Sequence, residues 1–216
     1  MSKSVGKSVT RVDAYEKATG RAKYMDDLCD RSALIAKICH STIAHGFVRS
    51  VDTSAAEAVP GVVKVLTCFD VPDIEFPTAG HPWSMDPHHQ DVADRKLLNR
   101  HIRYYGDEVA VVIAEDEVAA SQAVRAIRVE YEELPFVLDV QEAMKDGAPQ
   151  IQERYPGNIL AHSYLRRGDY EAARREPGLI KVEGWYDTPT VQHCHNEHHG
   201  CYEYEDAGRI VVVSSS

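Results

Sequence analysis

The sequence has no apolar run near the ~20 residues that a membrane-spanning helix requires. Its start, MSKSVGKSVT, carries two lysines with no hydrophobic stretch behind them, so no secretory signal is visible. Basic residues are in short supply: 24 Lys and Arg stand against 34 Asp and Glu, a formal net charge of −10. That balance argues against a general nucleic-acid binder or a peripheral membrane protein, both of which present a basic face. Cysteine is sparse, five residues with no C-x-x-C pair, which reads as reduced thiols in a cytoplasmic protein. Such scattered thiols also fall short of the nearby set of four that an iron–sulfur cluster needs. The Gly-rich fingerprints for phosphate and dinucleotide binding are both missing. What remains is ordinary globular composition, 44% apolar and 27% charged, on 216 residues, enough for one large domain or two small ones.

The Ser/Lys-rich residues 1–12 have no apolar periodicity and read as a flexible arm. Strands are predicted over Leu34–His40, Phe47–Asp52 and Val62–Thr67, with a short helix around Ala55–Ala58 that Pro60-Gly61 stops. From Phe69 to Arg100 the chain is rich in proline and histidine, including His81, Trp83, His88 and His89, and reads as a long loop. Val109–Ala114 is the clearest strand. The helix after it starts at the capping residue Asp116, and Ala120, Ala123, Val124 and Ile127 form one apolar face. Ile127–Tyr131 returns as a strand, and Val140–Lys145 as a short helix. Beyond residue 145 the pattern changes. A loop leads to a helical stretch at Tyr170–Arg175, and β segments are predicted at Leu179–Asp187, Thr190–His195, Gly200–Tyr204 and Ile210–Ser214. In the first of these, Ile180 and Val182 alternate with Lys181 and Glu183, the pattern of a half-buried strand.

The densest group of ligand-type side chains is His193-Cys194-His195-Asn196-Glu197-His198-His199-Gly200-Cys201. A zinc site needs four tetrahedral N or S ligands, and His193 with His195 on one strand face supplies two. Polar lining of a sheet accounts for the run without a metal, and a small His-rich metal-binding protein is the alternative. Cys29, Cys39, Cys68, Cys194 and Cys201 read as buried or partly buried free thiols. The acidic runs Glu115-Asp116-Glu117 and Glu130 to Glu133 read as solvated faces. Spacing alone supports an α+β domain and no reaction.

Several strings go further. Lys17-Ala18-Thr19-Gly20-Arg21-Ala22-Lys23-Tyr24-Met25-Asp26-Asp27 resembles an opening string of the molybdenum-hydroxylase large subunits, the xanthine dehydrogenase and aldehyde oxidase family. Ser41-Thr42-Ile43-Ala44-His45-Gly46, Val59-Pro60-Gly61-Val62, Arg103-Tyr104-Tyr105-Gly106-Asp107-Glu108-Val109-Ala110 and Glu130-Tyr131-Glu132-Glu133-Leu134-Pro135 resemble four further family strings, in the right order. The similarity continues through Tyr186-Asp187-Thr188-Pro189, Gln192-His193-Cys194-His195 and Glu197 to Ser214-Ser215-Ser216, and is greatest to the molybdenum-binding subunits of bacterial xanthine dehydrogenases.

The resemblance implies an α/β hammerhead domain over residues 13–145 and, over 146–216, the truncated start of a molybdopterin-binding domain. It implies hydroxylation of a purine or related N-heterocycle, with oxygen from water and electrons passed to iron–sulfur, FAD and NAD on partner domains or subunits. An active-site Glu would activate the metal-bound hydroxide. In the family that Glu, the Gly-rich cofactor loops and a Gln beside the metal ligands follow the string matched by Ser214-Ser215-Ser216. No catalytic, cofactor-binding or metal residue is therefore assigned in this chain, and Glu197 falls at a structural position. The chain alone is expected to be inactive and to hold no cofactor. A stand-alone interaction or scaffold domain is the other alternative.

Overall fold

The structure, a computed structural model, describes residues 5–77, 93–160, 165–197 and 199–215. His81, Trp83, His88 and His89 of the Pro/His-rich loop, and His198, lie outside the described residues. The architecture is α+β, as the sequence predicts, and falls into two compact units. Leu34–Leu179 forms one, and Met1–Ala33 with Ile180–Ser216 forms the other.

The larger unit is built on β7 (Glu108–Ala114), the EVAVVIA segment. Buried on both faces, it carries Val109, Ala110, Val112 and Ala114 at 0% exposure, which is why its sequence is a continuous apolar run. It pairs antiparallel with β1 (Ile35–His40) on one side and β3 (Val62–Thr67) on the other. Helix α4 (Glu117–Ala126) follows immediately, opened by Asp116, whose Oδ1 accepts the Ala119 N–H at 2.8 Å. Its buried face is Ala119, Ala120 and Ala123. Side chains this small let the helix lie close to the sheet, over Ala56 of α3 (Ser54–Glu57), Val65 and Val112. At Gly61 the backbone passes so near α4 that a Cβ would stand 3.2 Å from that of Ala119.

A second antiparallel sheet has the order β6 (His101–Ile102), β2 (Gly46–Asp52), β8 (Arg128–Glu133). It encloses a second core of Ile43, Val48, Cys68, Leu98, Ile102 and Val109. β7 therefore serves both cores, through Val109 and Val112; complete burial of each valine contributes about 1.5–3 kcal/mol. Gly46 enters β2 so close to β8 that a Cβ would lie 2.2 Å from the Glu132 carbonyl oxygen. The long loop carries a short pairing of β4 (Phe76–Pro77) with β5 (Ala93–Arg95). Helices α5 (Val140–Ala143) and α6 (Tyr170–Arg174) are each capped by the preceding aspartate, Asp139 and Asp169.

The smaller unit contains α1 (Ala14–Ala18), α2 (Met25–Leu28) and a hairpin of β9 (Cys201–Asp206) with β10 (Arg209–Ser214). Ala207 and Gly208 turn the hairpin with φ of 49° and 78°, the left-handed pair that matches strand twist in a two-residue loop. Two predicted strands do not form. Leu179–Asp187 and Thr190–His195 carry no ladder, and Ile180, Val182, Trp185 and Tyr186 are each more than 80% exposed. Alternation shows which face a strand would bury, but a strand also needs a neighbouring strand for its N–H and C=O groups, and no sheet among the described residues includes these segments. Nor do Cys194 and Cys201 meet the expectation of burial: both are exposed, while Cys39 and Cys68 are buried and Cys29 is intermediate.

Candidate functional site

The tightest polar construction in the larger unit gathers around the turn Arg103-Tyr104-Tyr105-Gly106-Asp107. Asp107 is 3% exposed. Its Oδ1 accepts from Asn99 Nδ2 at 2.6 Å and from the Glu108 N–H at 3.2 Å, and its Oδ2 accepts from the Arg103 N–H at 3.1 Å. Ser41, at the end of β1, answers from the other side. Its Oγ accepts the Gly106 and Asp107 N–H groups at 3.1 Å each and donates to the Tyr104 carbonyl at 3.1 Å. Burial pushes the Asp107 carboxyl up to about 6, against the pull of those N–H donors.

Beside this turn a second polar chain crosses the unit. His45 Nδ1 donates to the Pro135 carbonyl at 2.7 Å, and His45 Nε2 lies 3.1 Å from His101 Nε2. The His101 ring stacks on Phe47, with centroids 4.4 Å apart. Its Nδ1 stands 3.3 Å from Glu153 Oε1, and Arg103 reaches Glu153 Oε2 at 3.6 Å and the Ile151 carbonyl at 3.3 Å. Burial, reinforced by the Arg103 cation and opposed by Glu153, holds the His101 imidazole down to about 4. His101 is therefore neutral at pH 7.

Two cavities flank this construction. One of about 180 Å³ is lined by Arg95, Arg103, Tyr104, Asp107 and Gln152. The other, about 220 Å³, lies between Phe47, Cys68, Phe69, Lys96, Arg100 and His101. Neither holds an activated nucleophile. Burial raises the Cys39 thiol and pushes the Cys68 thiol up to about 11, so both are protonated and inert at neutral pH. The arrangement clasps loops to sheets and leaves room for a small ligand. It does not assemble an acid–base pair.

The histidine run in the smaller unit has a different character. His193, His195 and His199 are exposed; the first two rings stack at 5.5 Å, and the second pair meets edge-on at 5.8 Å. No group of three or more His, Cys, Asp or Glu among the described residues is placed to hold a metal ion. The polar lining of a sheet expected for this run is not formed either, because its strand is not. Glu197 has a structural partner: its Oε1 accepts the Met25 N–H at 3.0 Å, tying the first residue of α2 to the segment before β9. Sequence reasoning missed the His45–His101 contact altogether; Asp107 and Ser41 lay inside recognised strings, but their burial was not foreseen.

The same strings place the chain among known proteins. Residues 19–135, over half of the chain, match the family described as aldehyde oxidase and xanthine dehydrogenase, a/b hammerhead domain. The xanthine dehydrogenase molybdenum-binding subunit of Escherichia coli O157:H7 is 42% identical over 207 residues, which cover 95% of this chain and 27% of that protein. The structure of quinoline 2-oxidoreductase from Pseudomonas putida 86 superposes with a TM-score of 0.80 at 27% identity, over 100% of this chain and 27% of that one. That of the aldehyde oxidoreductase from Desulfovibrio desulfuricans ATCC 27774 gives 0.77 at 29% identity, over 98% and 24%. The chain spans about a quarter of the length of these relatives. It belongs to the aldehyde oxidase and xanthine dehydrogenase family, whose hammerhead domain it carries.

Proposed function

We propose that this chain is the N-terminal portion of the molybdopterin-binding subunit of a xanthine dehydrogenase-like enzyme. The observation that carries this reading is the 42% identity over 95% of the chain, which runs through the hammerhead match and beyond it. Residues 13–145 would be the hammerhead domain and 146–216 the opening of the cofactor domain. The whole enzyme would work in the cytoplasm and hydroxylate a purine or related N-heterocycle. Electrons would leave through iron–sulfur and FAD partner subunits to NAD. A redox cofactor supplies such chemistry because side chains do not.

No group of three or more His, Cys, Asp or Glu among the described residues is placed to hold a metal ion, and no described residue is assigned to molybdopterin. No catalytic step is therefore derived from this chain's side chains. Their part is to fold the hammerhead unit and present it to the rest of the subunit.

The test is the whole subunit, co-expressed with flavin and iron–sulfur partners. Xanthine-dependent NAD reduction, faster than with nicotinate or an aldehyde, supports the reading. Turnover of nicotinate or an aldehyde but not xanthine would move the substrate assignment, and loss of the reaction without the partner subunits would support the electron path.

A further inference from the structure

We infer that the 220 Å³ cavity of the larger unit is a binding site for a small aromatic carboxylate. The inference is independent of the proposed reaction. It rests on three features of the cavity wall: sign of charge, flat apolar surfaces and size.

Charge comes first. In a chain of net charge −10, this cavity is lined by three cations, Lys96, Arg100 and Arg103, and by one acid, Asp73. Lys96 and Arg103 are unusually withdrawn, their side chains 26% and 19% exposed. Their partners are not: Asp73 and Glu153 are 78% and 64% exposed, so solvent screens the compensation they give. Arg100 takes part in none of the ion pairs among the described residues. Its guanidinium instead lies over the Phe69 ring, 4.3 Å from carbon to centroid, a contact that fixes the group while leaving its N–H donors for an anion. The wall therefore carries surplus positive charge in a partly enclosed, low-dielectric space.

The remaining wall suits a flat apolar body. Phe47 and His101 form one stacked aromatic surface, Phe69 lies beneath the Arg100 guanidinium, and Leu98 and Cys68 are buried apolar groups of the same wall. Neutral His101 behaves as an aromatic plate here and adds no charge. An apolar cavity of about 150 Å³ is enough to hold benzene, so 220 Å³ accommodates a benzene ring with a carboxylate attached. An inorganic anion would leave the aromatic surfaces unused, and a neutral ring would leave Arg100 unpaired.

The probe is sodium benzoate, titrated into the 216-residue chain and followed by amide NMR shifts. Saturable shifts confined to residues 47, 68–73 and 96–103 are expected. Benzamide, acetate and phosphate should each bind at least about tenfold more weakly, since each lacks either the charge or the ring. Arg100→Gln should weaken benzoate about tenfold, whereas Arg166→Gln, which is not part of the cavity lining, should not. Absence of saturable shifts at these residues overturns the proposal. So does equal binding of benzamide or of phosphate, or an Arg100→Gln protein of unaltered spectrum that binds benzoate as before. If that variant does not fold, the four-ligand comparison on the unsubstituted chain decides alone.

Discussion

The Nε2 atoms of His45 and His101 lie 3.1 Å apart, and this one contact fixes the tautomer of both rings. The Pro135 carbonyl accepts a hydrogen bond from His45 Nδ1, so the proton of neutral His45 is on Nδ1 and its Nε2 is an acceptor. His101 must then donate from Nε2, leaving its Nδ1 lone pair opposite Glu153. Between Pro135 and Glu153 there are three gaps and, with both rings neutral, two protons. Long-range ¹⁵N–¹H correlation at pH 7 should show Nδ1–H for His45 and Nε2–H for His101; the opposite pair of tautomers contradicts the hydrogen-bond chain.

The same rings set a pH dependence. His101 is held down to about 4 in the folded chain against 6.5 when unfolded. Between those values the unfolded state carries a proton that the folded state does not, so the His101 contribution to stability is full above pH 6.5 and is lost as pH drops toward 4. The raised Asp107 carboxyl, about 6 when folded against 3.8, acts in the opposite direction below pH 6 and is common to the two proteins compared. At about 1.4 kcal/mol per pH unit of that window the loss is at most about 3 kcal/mol. Urea unfolding from pH 7 to 4 should show the stability of the unsubstituted chain, relative to that of His101→Gln, falling by this amount. Equal slopes would mean that His101 titrates as it does in water.

Asp107 is a hub for donors from Asn99, Arg103 and Glu108. Asp107→Asn replaces one accepting oxygen by an NH₂ group and sets it against an N–H donor in a buried place. The expected cost is about 2–3 kcal/mol, read from the urea midpoint at pH 7. A cost below about 0.5 kcal/mol, typical of surface sites, would contradict the buried hub.

Much of this was legible in the sequence, and the reasons are local. The Asp116 cap, the alanine face of α4 and the apolar run of β7 are encoded in adjacent residues, and each forms as the pattern says. The β9–β10 hairpin announces itself through the turn Asp206-Ala207-Gly208 between two β-forming runs. His45 and His101 are 56 residues apart, and no periodicity links them; only the pairing of Phe47 in β2 with His101 in β6 brings their rings together. Leu179–His195 shows the opposite failure. Its alternation is present, but a strand is a relation between two segments, and one segment's pattern does not supply the second.

Gly46 is a packing requirement of the β2–β8 ladder. In Gly46→Ala the added methyl would stand 2.2 Å from the Glu132 carbonyl and 2.8 Å from the Ile43 side chain. Backbone must shift, with a cost of about 3 kcal/mol or more. Amide exchange should accelerate across β2 and β8; an unchanged urea midpoint would show that the two strands are not this close.

Glu197 anchors the first residue of α2 through the Met25 N–H. Glu197→Ala should speed amide exchange over Met25–Leu28 by about fivefold to tenfold, the loss of one partly buried charge-assisted bond. Exchange in β1, β3 and β7 should not change. If α2 keeps its protection, the Met25 contact is not what secures it.

The most direct test of the assignment is molybdenum content. The 216-residue chain and the whole subunit should be purified side by side from cells that make the cofactor, and their metal measured by elemental analysis. Stoichiometric molybdenum in the whole subunit and only background in the 216-residue chain is the predicted result. Stoichiometric molybdenum in the 216-residue chain, or none in the whole subunit, would contradict it.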